Sequence, residues 1–479
     1  MATTVVAGCA VHPSVLTLAD REATLASDQR AMFGNQEPVQ GRITLDDAMA
    51  RAVKYNLDSR VKLMEAAVAQ HQLDLANFDL LPKLAADAGY SHRNNVLASS
   101  SESVLTGQQS LVPSTSTDRD ARTADLSLSW NILDFGVSYY GTKEQADRVL
   151  GLQERRRKAV QQLMEQTREA FWEAVGAQRL QGQIEPLLAQ ARQALQDSRS
   201  IEKGNLQPPL EALAYQRELL ELIFQLEGIR DHLEQAKPKL AAMMDLPPGK
   251  SFEVSAPDSF AEPTVRIAPG QMEETALLDR PELIEARYNE RIGLNETHKA
   301  LAELLPGVEL SLGEHYDSNS FLIHNTWNDI GVQATWNLLN LVDEHNIRAS
   351  AKAQYDLARE QRLAACVAVL AEVHVAWIDF NSRKDQFQLV QELNGVDQRM
   401  LEQTRNAAAA DANGKLAEIR AATSALMTQL RLYESYSAYQ DAYGEMLTSL
   451  GIDPLPPNVS ARANLSDLEA AIRAQKKNP

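Results

Sequence analysis

The chain contains little cysteine, few aromatic residues and no surplus of positive charge. Two of its 479 residues are cysteine, 6% are aromatic, and the formal net charge is -18 at pH 7. This acidic balance argues against nucleic-acid binding, which requires a basic surface. It is compatible with a soluble, self-repelling surface and with a path for cations, and it does not choose between them.

Long hydrophobic runs are also missing from the sequence. No apolar run approaches the roughly 18 residues that a membrane-spanning helix needs. This absence does not exclude the membrane, because the strands of a transmembrane barrel give a much weaker signal. Hydrophobic residues make up 44% of the chain and charged residues 23%, which predicts an ordered protein.

Catalytic and metal-binding patterns are absent as well. No serine or cysteine nucleophile motif occurs, and the nine histidines include no pair at metal-ligand spacing on one helix face. We interpret His315 and His324 as solvated residues that flank a loop. The Gly-Lys-Ser segment at 249–251 resembles the end of a phosphate-binding loop, but Met244 stands where that loop requires glycine. The sequence therefore predicts no enzyme, no metal site and no cofactor.

The two cysteines have different surroundings. Cys366 lies on the apolar stripe of a predicted helix, so we expect a buried structural thiol. Cys9 follows the segment Val-Ala-Gly, and this segment resembles the bacterial lipobox, in which the cysteine is lipidated. Eight residues precede Cys9, with no basic start and no full apolar core. We predict lipidation of Cys9 with a true start further upstream; the alternative is a chance match.

The sequence repeats itself at an offset of about 206 residues. The offset carries Trp130 onto Trp336 and Leu246 onto Ile452. An internal duplication of this size indicates two copies of one structural unit. We therefore divide the chain into a leader at 1–42 with the possible lipidation site, a first repeat at 43–246, a proline-rich linker at 247–270, a second repeat at 271–453 and a tail at 454–479.

Four segments alternate apolar and polar residues. In one of them, Leu126, Leu128 and Trp130 alternate with serines. A period of two with one apolar and one polar face predicts strands between two environments. Each segment can reach about ten residues, the length that crosses a bilayer when tilted. For each strand alone, the alternative is a half-buried sheet in a soluble protein. The segments are 84–90, 126–132, 308–312 and 330–338.

A heptad pattern predicts long helices. Apolar or small residues recur at steps of three and four from Val160 to Ser198, and the same offset carries this stripe onto 366–390. Such a sustained pattern predicts coiled-coil packing. A helix at 141–203 would be roughly 90 Å long at 1.5 Å per residue. It returns as 210–244, and the second copy returns as 416–450. Hairpins of this length must pack beside further helices, from this chain or from others.

The remaining segments give weaker signals. Residues 10–42 have no sustained periodicity, and we expect an extended leader. Thr44 is predicted to cap a helix that continues to Leu81, where Pro82 stops it. In the tail, a short helix is predicted at 465–474 in a peripheral position.

The order of a helix, a strand pair and two long helices, duplicated once, resembles the TolC-like outer membrane factor family. The resemblance covers nearly everything from Ile43 to Pro454. Cys9 is similar to the lipidated branch of that family, which serves efflux pumps. The segments that carry the resemblance are 48–56, the Leu-Pro stop at 81–82, the corner at 130–136, Leu-Pro at 305–306, Trp-Asn-Leu-Leu at 336–339, and the helix ends at 243–246 and 447–451.

This resemblance implies an α+β membrane protein that forms a homotrimer in outer-membrane lipid. Each chain would give four strands to a shared transmembrane β-barrel and its helices to a coiled-coil barrel in the periplasm. The duct would connect an inner-membrane efflux pump and a periplasmic adaptor protein to the exterior. Family members place adaptor contacts and a constriction at the helical turns. Here this implies adaptor contacts at Arg199, Gly204, Leu206 and Leu210, and a gate at Glu402 and Asp411.

Two other classes of function compete with an export duct. A soluble periplasmic coiled-coil scaffold or adaptor would not need four alternating segments of bilayer length, placed symmetrically in both copies. A hydrolase of the cell envelope would need a catalytic constellation, which the sequence lacks. The pattern therefore favours a passive channel.

Overall fold

A computed structural model describes residues 13–110, 112–204, 208–257, 259–408, 414–456, 459 and 463–477 of the chain. Two compact units result. Unit 1 comprises Met1–Val61, Arg157–Arg280 and Val369–Pro479, and unit 2 comprises Lys62–Arg156 and Pro281–Ala368. Each unit therefore combines segments from both halves of the sequence, and the domain bounds given above stay predictions.

The described residues form long helices and four long strands where the sequence predicts them. The helices are α1 (Leu18–Phe33), α2 (Leu45–Tyr55), α3 (Leu57–Phe78), α4 (Ile132–Lys203), α5 (Pro209–Met243), α6 (Pro269–Asp279), α7 (Pro281–Ala302), α8 (Leu338–Val342), α9 (Glu344–Ala408), α10 (Gly414–Ser449) and α11 (Leu465–Lys477). The strands are β1 (Arg42–Ile43), β2 (Lys83–His92), β3 (Asp120–Asn131), β4 (Glu253–Val254), β5 (Gly307–Asp317) and β6 (Thr326–Thr335).

The two halves use the same kinds of element in the same order, and their first two helices are equal in length. α2 and α6 have 11 residues each, and α3 and α7 have 22 residues each. A strand pair and two long helices follow in both halves. The element order therefore agrees with the duplication predicted from the sequence.

The ends of α5 and α10 share one cap geometry, 206 positions apart in the sequence. Asp245 and Gly451 both take the left-handed backbone conformation, with φ of 48° and 74°. The amide that follows each of them donates to the carbonyl five residues earlier, at 2.9 Å and 3.0 Å respectively. Such a left-handed residue satisfies the last carbonyls of a helix. Position 451 requires glycine, because a Cβ there would lie 2.5 Å from the carbonyl carbon of Asp279.

The core of unit 1 follows the predicted heptad stripe. Gln181 interrupts the pattern and is exposed, and Leu180 fills that step with 1% of its surface exposed. Burying each large apolar side chain contributes about 1.5–3 kcal/mol, so the stripe holds the long helices together. The buried members are Leu163, Thr167, Ala170, Ala174, Ala177, Ile184, Leu188, Ala191, Leu195 and Ser198 on α4, and Val369, Val373, Ala376, Phe380 and Phe387 on α9.

Aromatic side chains attach the proline-rich linker to this core. Trp172 on α4 meets Tyr436 on α10 edge to face, with ring centroids 4.6 Å apart. The Tyr436 hydroxyl donates to the Ala261 carbonyl at 2.8 Å, and the Tyr439 hydroxyl donates to the Pro263 carbonyl at 3.2 Å. Buried tyrosines need such acceptors, so the linker is a fixed part of unit 1.

The segment expected to be an extended leader contains a helix. α1 begins with a capping box, in which the Asp20 amide donates to Thr17 Oγ1 at 3.2 Å and the Thr17 amide donates to Asp20 Oδ2 at 2.9 Å. No residue of α1 is buried. Periodicity failed to reveal this helix because it has no apolar face; the cap was the available signal.

The predicted helix from Thr44 to Leu81 is two helices. Thr44 caps α2 as expected, with its Oγ1 accepting from the Asp47 amide at 3.1 Å. The chain then breaks at Asn56, and Asp245 Oδ2 accepts the Leu57 amide at 2.7 Å to begin α3. Asn56 Oδ1 also accepts the Ser59 amide at 3.1 Å, so this asparagine is a local cap and was the available sequence signal for the break; Asp245, 188 residues away, adds the second bond.

The tail helix is present, but it is not peripheral. α11 packs on α2, and Leu468 and Ile472 have 0% and 1% of their surfaces exposed. They join Met49 and Val53 in one buried cluster. The short tail therefore completes the core of unit 1.

Unit 2 contains an antiparallel sheet in the order β2-β3-β5-β6. The β3–β5 pairing joins the two halves of the chain, with Leu128 opposite Leu312. The helices of the unit are tied by ion pairs. Asp147 on α4 meets Arg291 on α7, and Glu290 on α7 accepts from Arg362 Nε on α9 at 2.6 Å.

Candidate functional site

The four-stranded sheet has two chemically different faces. On one face Leu84, Leu128, Leu312 and Ile330 lie opposite one another across all four strands. Their exposed fractions are 69%, 37%, 48% and 83%, so the chain itself leaves this face uncovered. A contiguous apolar surface of this kind is covered in function by lipid or by protein.

The opposite face carries small and ionisable residues. Asp87, Asp125, His315 and Trp327 form one row across the strands. His315 Nδ1 lies 2.6 Å from Asp125 Oδ1, and His315 Nε2 lies 3.1 Å from Asp329 Oδ1. The His315 ring stacks on Trp327 with centroids 5.2 Å apart. His315 therefore lies between the carboxylates of Asp125 on β3 and Asp329 on β6 and links the side chains of three strands.

The close approach of His315 and Asp329 depends on Gly313. A Cβ at this position would lie 2.5 Å from His315 Nε2 and would also collide with Asp329 Oδ1. Any larger side chain would therefore push the pair apart. The polar face is a hydrophilic, acidic surface on which cations and water can lie.

The interpretation of His315 as a solvated loop residue is wrong. His315 belongs to β5 and has 24% of its side chain exposed, whereas His324 is an exposed loop residue as expected. The signal available in the sequence was the alternation of apolar and polar residues along the strand. His315 continues the polar face of the predicted strand, two residues beyond Gly313 and four beyond Ser311.

The edges of this sheet are open in the part of the chain that the structure describes. β2 and β6 form the two edges, and no other described strand pairs with them. Trp130 lies near the end of β3 and Trp336 lies just after β6, where its Nε1 donates to the Leu304 carbonyl at 3.1 Å. Unpaired edges offer backbone donors and acceptors to another chain.

The residues predicted at the helical turns lie in unit 1. Arg199 is exposed on the last turn of α4, Gly204 follows that helix, and Leu210 begins α5 with 79% of its surface exposed. Glu402 is exposed near the end of α9. An ion pair between Arg420 on α10 and Glu218 on α5 brings the two helical hairpins together. Leu206 and Asp411 lie outside the described residues, as does Cys9.

Helix α9 has an apolar surface beyond its buried stripe. An 18-residue stretch within Glu344–Ala407 has a mean hydropathy of 1.8, and 22% of that stretch is buried. The expectation that no apolar run approaches membrane-spanning length is therefore corrected, because this stretch is long and apolar enough to cross a membrane by length and composition alone. The isolated charges within it lower its mean hydropathy only slightly. Val367, Val375 and Ile378 are more than 60% exposed. Cys366 is half-buried and free, so its predicted full burial was wrong.

The described residues contain no group of three histidine, cysteine or carboxylate side chains arranged to hold a metal ion. No protein-family model matches the chain, and no curated protein matches it. Similarity is found at the level of solved structures.

The fold is that of bacterial outer-membrane channel proteins. The Campylobacter jejuni CmeC outer membrane channel is 15% identical, with a TM-score of 0.67 over 93% of this chain and 94% of that chain. The Neisseria gonorrhoeae MtrE outer membrane channel, in its open state, is 15% identical, with a TM-score of 0.65 over 88% and 95%. The outer-membrane channel OprN is 17% identical, with a TM-score of 0.64 over 85% and 89%. The predicted TolC-like architecture is confirmed as a fold, and the lipidated branch stays a prediction.

Proposed function

We propose that the chain is the outer-membrane export duct of a tripartite efflux or secretion system and conducts its substrates passively. The observation that carries this proposal is the fold, shared with outer-membrane channels over 85–93% of the chain. The two-faced sheet supports it, because a transmembrane strand presents apolar side chains to lipid and polar side chains to a water-filled lumen. The acidic face with Asp125, His315 and Asp329 would line that lumen.

The proposed duct is a homotrimer. Four strands with open edges cannot span lipid, since unpaired backbone groups are not tolerated there and the smallest barrels have about eight strands. Pairing β2 of one copy with β6 of the next, three times, closes the barrel and removes every edge. The number three comes from the resemblance to the TolC-like family. Trp130 and Trp336 would then contribute to an aromatic belt at the membrane boundary.

Neighbouring copies would also cover the helices. Val367, Val375 and Ile378 on α9 lie uncovered on the single chain. Contact with the next copy in a periplasmic coiled-coil barrel would remove this apolar surface from water, which is favourable by about 25 cal/mol per Å².

The helical turns are the proposed docking end for a periplasmic adaptor protein and an inner-membrane efflux pump. We place adaptor contacts at Arg199, Gly204, Leu206 and Leu210. The high exposure of Leu210 supports this, since an uncovered leucine at a helix start is available to a partner. Three copies of Glu402 and Asp411 would form the gate at this end.

Lipidation of Cys9 would anchor each chain to the inner leaflet of the outer membrane. Fatty-acid labelling of cells that express the full-length gene tests this. We expect label in the wild-type protein and none in Cys9→Ala. Equal labelling of both proteins, or none in either, would refute the anchor without touching the duct, because the strands supply their own apolar face.

Conductance of the purified trimer in planar bilayers tests the duct itself. Two adjacent substitutions on β5 give a matched pair, since Leu312 lies on the apolar face and Ser311 on the polar face. A cation facing lipid costs about 2–4 kcal/mol near the midplane, so Leu312→Lys should insert poorly. Ser311→Lys should insert and shift selectivity toward anions. Equal insertion of both variants, or no conductance from wild type, would overturn the proposal.

A further inference from the structure

A cavity lies within unit 1 between α4, α10, α2 and α11. Its volume is about 40 Å³. A single water needs roughly 10–15 Å³, so the cavity has room for a ligand of a few heavy atoms. Part of its wall is apolar, formed by Met49, Met164, Leu447 and Ile472.

Most of the charged groups in the wall already have partners. Asp453 accepts from Arg157 Nε at 2.6 Å and from Gln161 Nε2 at 2.8 Å. Lys476 pairs with Asp46 on α2. These contacts tie the tail of the chain across the cavity. Glu165 accepts from Thr448 Oγ1 at 3.3 Å.

Arg168 is the exception in this wall. Its surface is 7% exposed, and its Nε has no hydrogen-bond partner among the described residues. Nη1 reaches Gln440 Oε1 at 3.4 Å, and the guanidinium lies 5.2 Å from the centroid of the Tyr443 ring. A buried guanidinium without a close counter-ion is costly, and an ionised acceptor is the group that best satisfies it.

We propose that this cavity binds a small aliphatic monocarboxylate. The carboxylate accepts from Arg168 Nε, and the short carbon chain lies against Met49, Met164 and Ile472. The site is remote from the sheet and from the helical turns in sequence, and it does not depend on conduction. Its occupant joins α4 and α10 to the tail helix α11.

Gly444 on α10 leaves the space next to Arg168. A Cβ built there would lie 3.6 Å from Arg168 Nε and 3.4 Å from Glu165 Cγ. These are contacts that an alanine can make, yet the methyl group would take up space beside Nε that an acceptor at about 2.9 Å needs. Gly444→Ala therefore blocks the site while keeping the helix.

The charges around Arg168 set the pH dependence of binding. Burial, with Glu169, Glu165 and Glu445, raises the pKa of Asp441 to about 7. Burial also raises the pKa of Glu165, and burial with Arg168 lowers the pKa of Lys476. Lowering the pH thus removes negative charge and retains positive charge, which favours an anion. The titratable groups that line the cavity beside Arg168 are Glu165, Tyr443, Asp453 and Lys476. Further charged groups act on these from nearby: Asp46, Asp441, Glu169, Glu445, Arg157 and Arg473.

Calorimetric titration of the full-length protein in mild detergent with sodium propionate tests the site. Wild type should bind saturably, more tightly at about pH 6 than at about pH 8 as the acids take up protons. Gly444→Ala should weaken binding by about tenfold or more, the worth of a charged hydrogen bond. Gly182→Ala on α4 is the matched control, because its Cβ would meet nothing within 4 Å, and it should bind like wild type.

Formate and the Arg168→Met variant complete the test. Formate lacks the carbon chain and should bind more weakly than propionate, and Arg168→Met should not bind either anion. Should Arg168→Met fail to fold, Gly444→Ala against Gly182→Ala still decides the question. Absence of saturable binding by wild type, equal binding by Gly444→Ala, or tighter binding of formate would overturn the proposal.

Discussion

Individual carboxyl groups along α10 and α4 couple the protein to pH. Among these carboxyl groups, the pKa of Asp441 is raised furthest, to about 7. Burial is the main cause, followed by the negative charges of Glu169, Glu165 and Glu445. Because this folded-state pKa lies above the ordinary value of 3.8, the folded chain holds the proton more tightly than the unfolded chain. The stability that Asp441 contributes is fully present below its ordinary pKa and is lost as the pH rises through about 7.

Asp441→Asn should therefore raise the thermal midpoint at about pH 8 by a few degrees, because no buried charge forms. Below about pH 4 the variant and wild type should unfold alike. Thermal unfolding of the detergent-solubilised protein across this range measures the difference. Glu360→Gln, an exposed position on α9, is the control and should change nothing. A constant difference at every pH would contradict the assigned cause.

Glu402 and Asp411 are the residues expected to set ion selectivity at the gate. Like charges held close in a narrow ring attract cations and bind multivalent ones. Replacing both with alanine should reduce cation selectivity in planar bilayers and weaken block by multivalent cations. Arg199→Ala, at the other helical turn, is the comparison and should leave block unchanged. Unaltered selectivity and block in the double variant would place the constriction elsewhere.

At the scale of elements, α11 shows how a short tail helix stabilises a much longer bundle. Its apolar side meets α2, and Asp46 on α2 pairs with Arg473 and Lys476 on α11. Arg473 is exposed, so its pair contributes little, whereas Asp46 and Lys476 have 16% and 33% of their side chains exposed. The fully buried apolar contacts of Leu468 and Ile472 add to the docking energy.

Leu468→Ala should cost about 2–5 kcal/mol of docking energy, since the side chain is fully buried and leaves a cavity. We expect earlier proteolysis of the tail and a lower thermal midpoint. Leu210→Ala, a mostly exposed leucine, is the matched control and should keep both properties. Equal protease resistance in the two variants would show that α11 is held by other contacts.

At the scale of the whole molecule, the single chain leaves two kinds of surface that a second copy can cover. One is the pair of unpaired sheet edges, β2 and β6. The other is the uncovered apolar surface of α9. Both are removed by the same assembly, which is why association and membrane insertion are expected together.

Mass measurement in mild detergent should give three chains per particle. An Ala334→Pro substitution on the edge strand β6 removes a backbone donor that points away from β5 and that the next copy would need, and it should shift particles toward single chains. Thr123→Pro on the interior strand β3 is not a useful control, because it breaks pairing within the chain. Gly182→Ala serves instead and should stay trimeric. A stable, folded monomer of wild type would contradict the architecture.

Sequence patterns alone predicted the long helices, the four strands and the offset between the halves. Burial has to match the geometry of the element, so a helix repeats its apolar face every three to four residues and a strand every two. The local sequence therefore determines both patterns: the heptad stripe at Leu163, Ile184 and Leu188, and the alternation at Leu126 and Leu128. The cap at Thr44 is local in the same sense, since its partner lies three residues away.

Tertiary structure decided the features whose partners lie far along the chain. The bridge at His315 depends on Asp125, 190 residues away, and the burial of α11 depends on α2. The bond from the Leu57 amide to Asp245 at the start of α3 is of the same kind. The unpartnered Nε of Arg168 likewise follows from what α10 and the tail bring to it. A residue's period shows which way its side chain points along its own element. What it then meets is fixed only when distant segments pack together, because contact and desolvation depend on position in space.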